Sequence, residues 1–381
     1  MDFRLSEEQE ILRASVREFA EKEIRPVMAE LDRKEEFGVP LTRKMGEMGL
    51  FGITIPPEYG GQGMDYLSYI IVVEELSRVD GCQGATVAAA NSLGTGPLYY
   101  YGSEEQRRKY LPELCKDKLW GFGLTEPDAG SDAGGTKTTA VRDGDEWVIN
   151  GAKTFITNGS TDLTIGVTVQ AVSGKRPDGR KEYSCFIVEP GTPGFEARTM
   201  HGKLSWRSSN TSELFFDDCR VPASAMVGER GGGFRQMLET LDSGRLSIAA
   251  MGLGGAQGAF DTTLTYVQER KQFGRPIGDF QASRFKLADM ATELEASRLL
   301  LYKACWLRDN RKPFAKQAAM AKLYCADVMY RAANHAVQLH GGYGLMEDYP
   351  VEKFYRDQKL LDIGEGTSEI QRLVISRHLG L

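Results

Sequence analysis

The chain has 381 residues, 41% of them hydrophobic and 26% charged, with a formal net charge of −6 and a pI near 5.5. That length suffices for two or three domains and a well-buried core, and the composition is that of an ordinary globular protein. The acidic balance argues against a general nucleic-acid binder, which would show a basic face. No stretch reaches the roughly 18 consecutive apolar residues of a membrane span. The segment Met1–Glu8 lacks a charged-then-apolar signal pattern, so the expected location is the bacterial cytoplasm, with a mature mitochondrial form as the alternative. Cys82, Cys115, Cys185, Cys219, Cys305 and Cys325 are scattered without a C-x-x-C pair. The expectation is buried thiols in a reducing compartment, with no metal site and no disulfide framework.

Residues 1–117 read as helical. Ser6 and Gln9 make an S-x-x-Q capping box, followed by Leu12, Val16, Phe19, Ala20 and Ile24 at helical spacing. That pattern weakens at Pro26, and the run Pro56–Gly63 forbids regular structure. Helix is expected again from Tyr69 to Leu76, then a break at Gly94–Pro97, then a charged helix from Glu104.

Residues 118–232 change period and are expected to form a β-domain of antiparallel strands. Asp143-Gly144 separates Thr138–Val141 from Trp147, which suggests a meander. Trp147–Ile149, Asn150-Gly151 and Ala152–Ile156 then read as a hairpin, because Asn-Gly suits a type I′ turn. Further β-rich runs stand at Leu163–Gln170, Tyr183–Val188 and Glu213–Phe216.

From residue 233 to 381 the helical period returns. Leu287, Met290, Ala291 and Leu294 form an apolar stripe, and Ala249–Ala259 is dense in Gly and Ala, which permits close helix approach. The fold class is therefore α+β: an N-terminal helical domain, a central antiparallel β-domain and a C-terminal helical bundle. No G-x-G-x-x-G follows a strand, so a Rossmann dinucleotide site is not expected.

Four segments carry the chemistry. Ile363-Gly364-Glu365-Gly366-Thr367-Ser368-Glu369 sets one carboxylate between two glycines, which permit a tight turn and close approach of a ligand. Far upstream stands Thr125-Glu126-Pro127-Asp128-Ala129-Gly130-Ser131-Asp132. Arg270–Ile277 reads R-K-Q-F-G-R-P-I, and Gln338–Gly344 reads Q-L-H-G-G-Y-G. Arg270–Ile277 also reads as a helix C-terminus with cationic residues and a Gly stop. Asp242 and Arg245 are three residues apart and could pair with each other.

Together these motifs resemble the acyl-CoA dehydrogenase family over nearly the whole chain. The resemblance implies that fold with a C-terminal four-helix bundle, bound FAD, and removal of an α-proton and a β-hydride from an acyl-CoA thioester. It implies Glu365 as the base and electron-transfer flavoprotein as the electron acceptor. Phe122, Leu124, Thr125, Ser131, Phe155, Ile156 and Thr157 would line the flavin. Arg270, Gln272, Phe273, Gln281, Gln338, Gly341 and Gly342 would reach the FAD of a neighbouring subunit in a homo-oligomer, expected to be a tetramer. Thr367 and Glu369 are further implied FAD contacts. Ser131, Asp242 and Arg245 match positions that meet the CoA arm, and Asn91, Gly364 and Gly366 fall beside the acyl group.

Two departures bear on the substrate. Many relatives carry Tyr where this chain has Gly364, so the pocket is expected to open for a branched or alicyclic acyl group, such as a cyclohexane carboxylate thioester. Filling of that gap by Trp206 or another side chain is the competing reading. Gly244 stands where some relatives place their base, which leaves Glu365 as the only motif-supported base. Asn91 cannot act as the acidic base some alicyclic-substrate relatives use nearby, which disfavours a 1,4-elimination. Alternatives are a short-chain (butyryl-type) dehydrogenase, a flavin oxidase or monooxygenase of the same fold, and an inactive flavin-binding scaffold.

Overall fold

The computed structural model describes residues 4–381; Met1–Phe3 of the N-terminal reading lie outside them. Seven helices come first: α1 Glu7–Phe19, α2 Met28–Lys34, α3 Val39–Glu47, α4 Tyr66–Ser77, α5 Gly81–Ala89, α6 Thr95–Tyr101 and α7 Glu104–Leu114. The expected capping box opens α1: Ser6 Oγ accepts from the Gln9 amide (3.2 Å) and Gln9 Oε1 from the Ser6 amide (3.1 Å). A second box, Ser103 with Gln106, opens α7. The break expected at Gly94–Pro97 does not occur. A π-helical turn, Ala90–Gly94, joins α5 to α6, and it already interrupts the ordinary ladder just ahead of Pro97.

The strands are β1 Leu119–Gly123, β2 Thr139–Asp143, β3 Glu146–Thr157, β4 Thr164–Lys175, β5 Lys181–Val188, β6 Phe195–Thr199, β7 Thr211–Pro222 and β8 Met226–Val227. They form one sheet in the order β6-β7-β3-β2-β4-β5-β8, with β1 beside β4. Pairing is antiparallel, except that β1 runs parallel to β4 and β2 touches β4 through one parallel bridge. The β2–β3 hairpin turns at Gly144, φ +59, as its Asp-Gly signal predicts.

Asn150-Gly151 is not a turn. Both residues lie inside β3, at a register shift against β7. The Asn150 amide exchanges two hydrogen bonds with Asp218 (3.0 and 2.8 Å), whose own φ is +46. Gly151 is required because a Cβ there would sit 2.5 Å from Thr138 Oγ1. The dipeptide therefore builds a bulge that bends a long strand.

After the sheet come α8 Gly233–Glu269, the short strands β9 Lys271–Gln272 and β10 Arg275–Pro276, then α9 Gln281–Asp309, α10 Ala315–His340, α11 Val351–Leu361 and α12 Ser368–His378. Helices α8 to α11 pack as a bundle, with α12 folded onto α10. The glycines of α8 act as expected: a Cβ at Gly254 or Gly258 would come 2.2 Å from Glu74 O or 2.0 Å from Arg78 O, so α8 rests on the backbone of α4 and its end. In the stripe expected on α9, Met290 and Leu294 are buried and Leu287 is half-buried, but Ala291 is exposed. The bundle is tied to the N-terminal helices by Lys353, whose buried ammonium stands between Asp80, Asp357 and Asp32. All six cysteines are free and buried. No helix among the described residues is long and apolar enough to cross a membrane.

Candidate active site

Glu365 occupies a left-handed backbone conformation, φ +51, between α11 and α12, and Gly366 follows at φ +94. A non-glycine residue there stores strain on the order of 1 kcal/mol, which its surroundings must hold. The hold is visible. Lys322 Nζ and Gln371 Nε2 both donate to the Gly366 carbonyl, at 2.9 and 2.8 Å, and Gln371 also reaches the Glu365 carbonyl at 3.4 Å. The Ser368 amide closes back on the Asp362 carbonyl (2.9 Å). Thr367 is the N-cap of α12, accepting from the Ile370 amide. The exposed Glu369 carboxyl is held below its ordinary range by its own backbone amide and by the Thr367 hydroxyl.

The Glu365 side chain lies on α8 at Gly244. A Cβ added to Gly244 would fall 1.8 Å from Glu365 Oε2, so only glycine leaves the carboxylate its place. Oε2 is sealed from solvent with no hydrogen-bond partner. Burial pushes the carboxyl up to about 7, against the pull of Lys322 and Arg245. Lys322 is fully buried, and desolvation brings its ammonium down to about 8. Arg245, also buried, is hydrogen-bonded to Asp242, as their spacing allowed. Among the described residues, neither cation closes an ion pair onto Glu365.

A second constellation is built by the sheet. The Thr154 amide donates to the Thr125 carbonyl (3.0 Å), which joins the Thr125–Asp132 loop to the end of β3. Beneath that contact lies a buried ion pair, Lys153 with Glu126 (2.8 Å). Lys153 also donates to the Leu124 carbonyl, and Glu126 accepts from the Lys137 and Thr138 amides. An ammonium without exposure is costly unless so paired. Phe122, Leu124 and Ile156 are buried, Thr125 and Thr157 half-buried, and Ser131 exposed. Phe155, which alone would read as a core residue, is 64% exposed. A bulge at φ +59 turns it out of the sheet.

The third constellation is an open face. Arg270–Ile277 does not end on a helix-stop glycine: α8 ends at Glu269, and Phe273-Gly274, φ +53 and +80, turn the β9–β10 hairpin. Phe273 projects at 93% exposure. Arg270 stands 5.4 Å from the Tyr343 ring and the Tyr266 hydroxyl reaches the His340 carbonyl (3.4 Å), so the Arg270 and Gln338 segments come together. Gln272, Gln281, Gln338, Gly341 and Gly342 are exposed, and a Cβ at Gly274, Gly341 or Gly342 would meet nothing within 4 Å. No hydrogen bond or ion pair among the described residues joins this face to the Glu365 loop.

Two substrate-side readings change. Asn91 lines a cavity with Tyr66, Ser92, Thr95, Thr240 and Arg308, but its amide is held by the Ile53 N–H and the Leu50 and Val87 carbonyls, so it braces the helix instead of presenting a polar group. Trp206 packs by Gly81, with its backbone amide on Asp357. A Cβ at Gly364 would press on Leu360 (3.1 Å to its side chain) and meet no atom of Trp206, so the side chain that borders that gap is Leu360, not Trp206. Gly366 serves the turn, where a Cβ would crowd Gln371 Nε2 at 2.8 Å. Lys322, Gln371 and the Lys153–Glu126 clip were missed in the sequence. For Lys322 a signal existed: Ala318, Ala319, Cys325 and Ala326 stand at helical spacing around it and put it on a buried face.

The chain matches family models described as acyl-CoA dehydrogenase N-terminal domain (residues 6–118), middle domain (121–219) and C-terminal domain (231–380). It is 51% identical over 380 residues to the probable acyl-CoA dehydrogenase YngJ of Bacillus subtilis, covering 100% of both chains. Butyryl-CoA dehydrogenase from Megasphaera elsdenii superposes with a TM-score of 0.96 at 40% identity, covering 100% of each chain. A chain from a structure of the electron transferring flavoprotein of Acidaminococcus fermentans also gives 0.96, at 45% identity, covering 100% of this chain and 99% of that one.

Proposed function

The chain belongs to the acyl-CoA dehydrogenase family, and from that premise we propose that it oxidises a short acyl-CoA thioester to the enoyl-CoA with Glu365 as the base. One observation carries the reading: a carboxylate oxygen sealed without a partner over Gly244, at a pKa near 7. A base poised there is ionised often enough to act at neutral pH, yet basic enough to take a proton from carbon. Glu365 Oε2 would receive the α-proton, the electron pair of that C–H bond would form the α–β double bond, and the β-hydrogen would leave with its own bonding pair as hydride. Donors aimed at the thioester oxygen stabilise the enolate-like charge, and the Glu365 backbone amide is the group of this chain assigned to that task.

FAD, when bound, supplies the acceptor for the hydride. The residues present fit it: Phe155 and Phe273 are turned outward, and Gly274, Gly341 and Gly342 leave clear space for a dinucleotide to approach. Phe122, Leu124, Thr125, Ser131, Phe155, Ile156 and Thr157 would hold it from one subunit, with Thr367 and Glu369. Arg270, Gln272, Phe273, Gln281, Gln338, Gly341 and Gly342 would hold it from a second, in a homotetramer. Asp242, Arg245 and Ser131 take the CoA arm. Electrons pass to electron-transfer flavoprotein, a reading supported by the likeness to the Acidaminococcus chain. The bacterial relative and the six buried thiols support a cytoplasmic location. The helical elements break at Leu114 and resume at Gly233, which supports domain borders at 117/118 and 232/233.

For the acyl group, the likeness to butyryl-CoA dehydrogenase supports a short chain, and the absence of a side chain at Gly364, where a Cβ would already press on Leu360 at 3.1 Å, is what a branch or ring at the α-carbon would use. The test is an anaerobic panel of straight, branched and alicyclic acyl-CoAs, read by bleaching of the flavin and by the enoyl product. Bleaching by one class supports the reading and names the substrate. No bleaching by any thioester contradicts it, and rapid reoxidation by oxygen alone favours the oxidase alternative.

A further inference from the structure

A fully buried ammonium is costly unless a carboxylate neutralises it. Lys153 and Lys353 meet that rule through Glu126 and through Asp80 and Asp357. Lys322 does not. It has no exposure, and among the described residues its one hydrogen bond is to a neutral group, the Gly366 carbonyl at 2.9 Å, one residue beyond Glu365. No ion pair to it stands among the described residues; Asp362, the largest acidic influence on it ahead of Glu365 and Glu369, is bound instead by Lys359 and the Ser368 hydroxyl. Arg245, the other cation near Glu365, already faces Asp242. Of the groups facing the carboxylate from α8, α10 and α4 (Arg245 with Asp242, Lys322 and the neutral Tyr69), Lys322 is the cation that has no ion pair among the described residues, with Asp362 and Glu369 acting on it only from a distance.

We propose that Lys322 is a positioning residue for the base: its ammonium pins the Gly366 carbonyl, which fixes the strained Glu365 backbone, and its unpaired charge stabilises the ionised carboxylate. The inference rests on the reading of Glu365 as base. It assigns α10 a part in the reaction that no motif signals. Burial alone would leave Glu365 protonated and inert through neutral pH. Lys322 offsets part of that from a distance, without an ion pair that would compete for the α-proton. Gln371, also fully buried, donates to the same carbonyl, so the loop keeps its path when the charge is removed.

Two variants separate the roles. Lys322→Met removes both charge and donor, whereas Lys322→Gln removes the charge and keeps an N–H donor on a side chain one bond shorter. The measurement is the pH profile of kcat/KM with butyryl-CoA, which reports ionisations of the free enzyme, together with FAD occupancy and the melting temperature. Both variants are expected to move the rising limb upward by about one pH unit, the lower end of the effect of a nearby opposite charge. That is about tenfold lower kcat/KM near pH 6.5, recovering at pH 9. Lys322→Gln should keep more of the high-pH kcat. A uniform loss at every pH, with the limb unmoved, would mean a merely structural lysine and overturn the proposal. If Lys322→Met does not fold, Lys322→Gln decides alone by the same criterion. Glu365→Gln runs in parallel: near-normal turnover there would sink the base assignment itself, whereas an inactive Glu365→Gln with an unmoved limb in the lysine variants would sink this inference only.

Discussion

At the scale of single residues, Glu365 pits stability against chemistry. With its folded pKa raised to about 7 against about 4.3 in an unfolded chain, it gives the folded state more bound protons than the unfolded state between those values. Its contribution is therefore fully present below about pH 4 and lost as pH rises through 7. Glu365→Gln, which cannot ionise, should be more stable than the parent at pH 8, by up to about 4 kcal/mol, with the gain mostly gone at pH 4.5 and absent below about pH 4. Paired melts at the two pH values check this; an equal difference at both would mean that the carboxylate is not what costs the fold. Gly364 carries the substrate inference. Its Cβ direction meets only Leu360, so Gly364→Tyr should cost bulky substrates about 1–3 kcal/mol of selectivity through overpacking. A slim butyryl chain should tolerate it. The ratio of kcat/KM for a cyclohexane-carboxyl thioester and butyryl-CoA reads this directly, and an unchanged ratio would remove the substrate inference.

At the scale of elements, what the sequence disclosed depended on whether the signal was local. The Ser6–Gln9 box and the Gly144 turn were legible because their partners lie within a few residues. Asn150-Gly151 was misread because its meaning depends on Asp218 and Thr138, which only the folded sheet brings near. Gly274 was read as a helix stop because the hairpin that follows α8 is only two residues per strand. Lys353 was likewise invisible: Asp80 sits at the start of α5, 273 positions away in the chain. Lys353→Met should leave Asp80 and Asp357 uncompensated, Asp32 keeping Arg356, and cost roughly 3–5 kcal/mol, seen as a large drop in melting temperature. Because α11 leads into the Glu365 loop, activity should fall with it as the helix loosens. A neutral substitution would show that the cluster is not what anchors α11.

At the scale of the whole molecule, the four motifs resolve into three constellations, only one of which contains the base. Glu365 with Gly244, and Thr125 with Thr154, are joined within the chain. The Arg270 and Gln338 segments face outward, with Phe273 almost fully exposed and Gly341 and Gly342 open. That these two segments come together on an exposed face was not legible in periodicity, because the contacts that join them, Arg270 with Tyr343 and Tyr266 with His340, span about 70 positions of the chain. Phe273→Asp should therefore lower FAD occupancy and the sedimentation mass together while leaving the helical signal intact. A folded monomer with full FAD occupancy would contradict the shared site. The central claim, that Glu365 takes the α-proton, is tested most directly by anaerobic stopped-flow reduction of FAD-loaded Glu365→Gln with butyryl-CoA. The account predicts retained FAD and flavin reduction slower by about 10²–10⁴-fold, the usual worth of a general base. Reduction at the parent rate would place the base elsewhere.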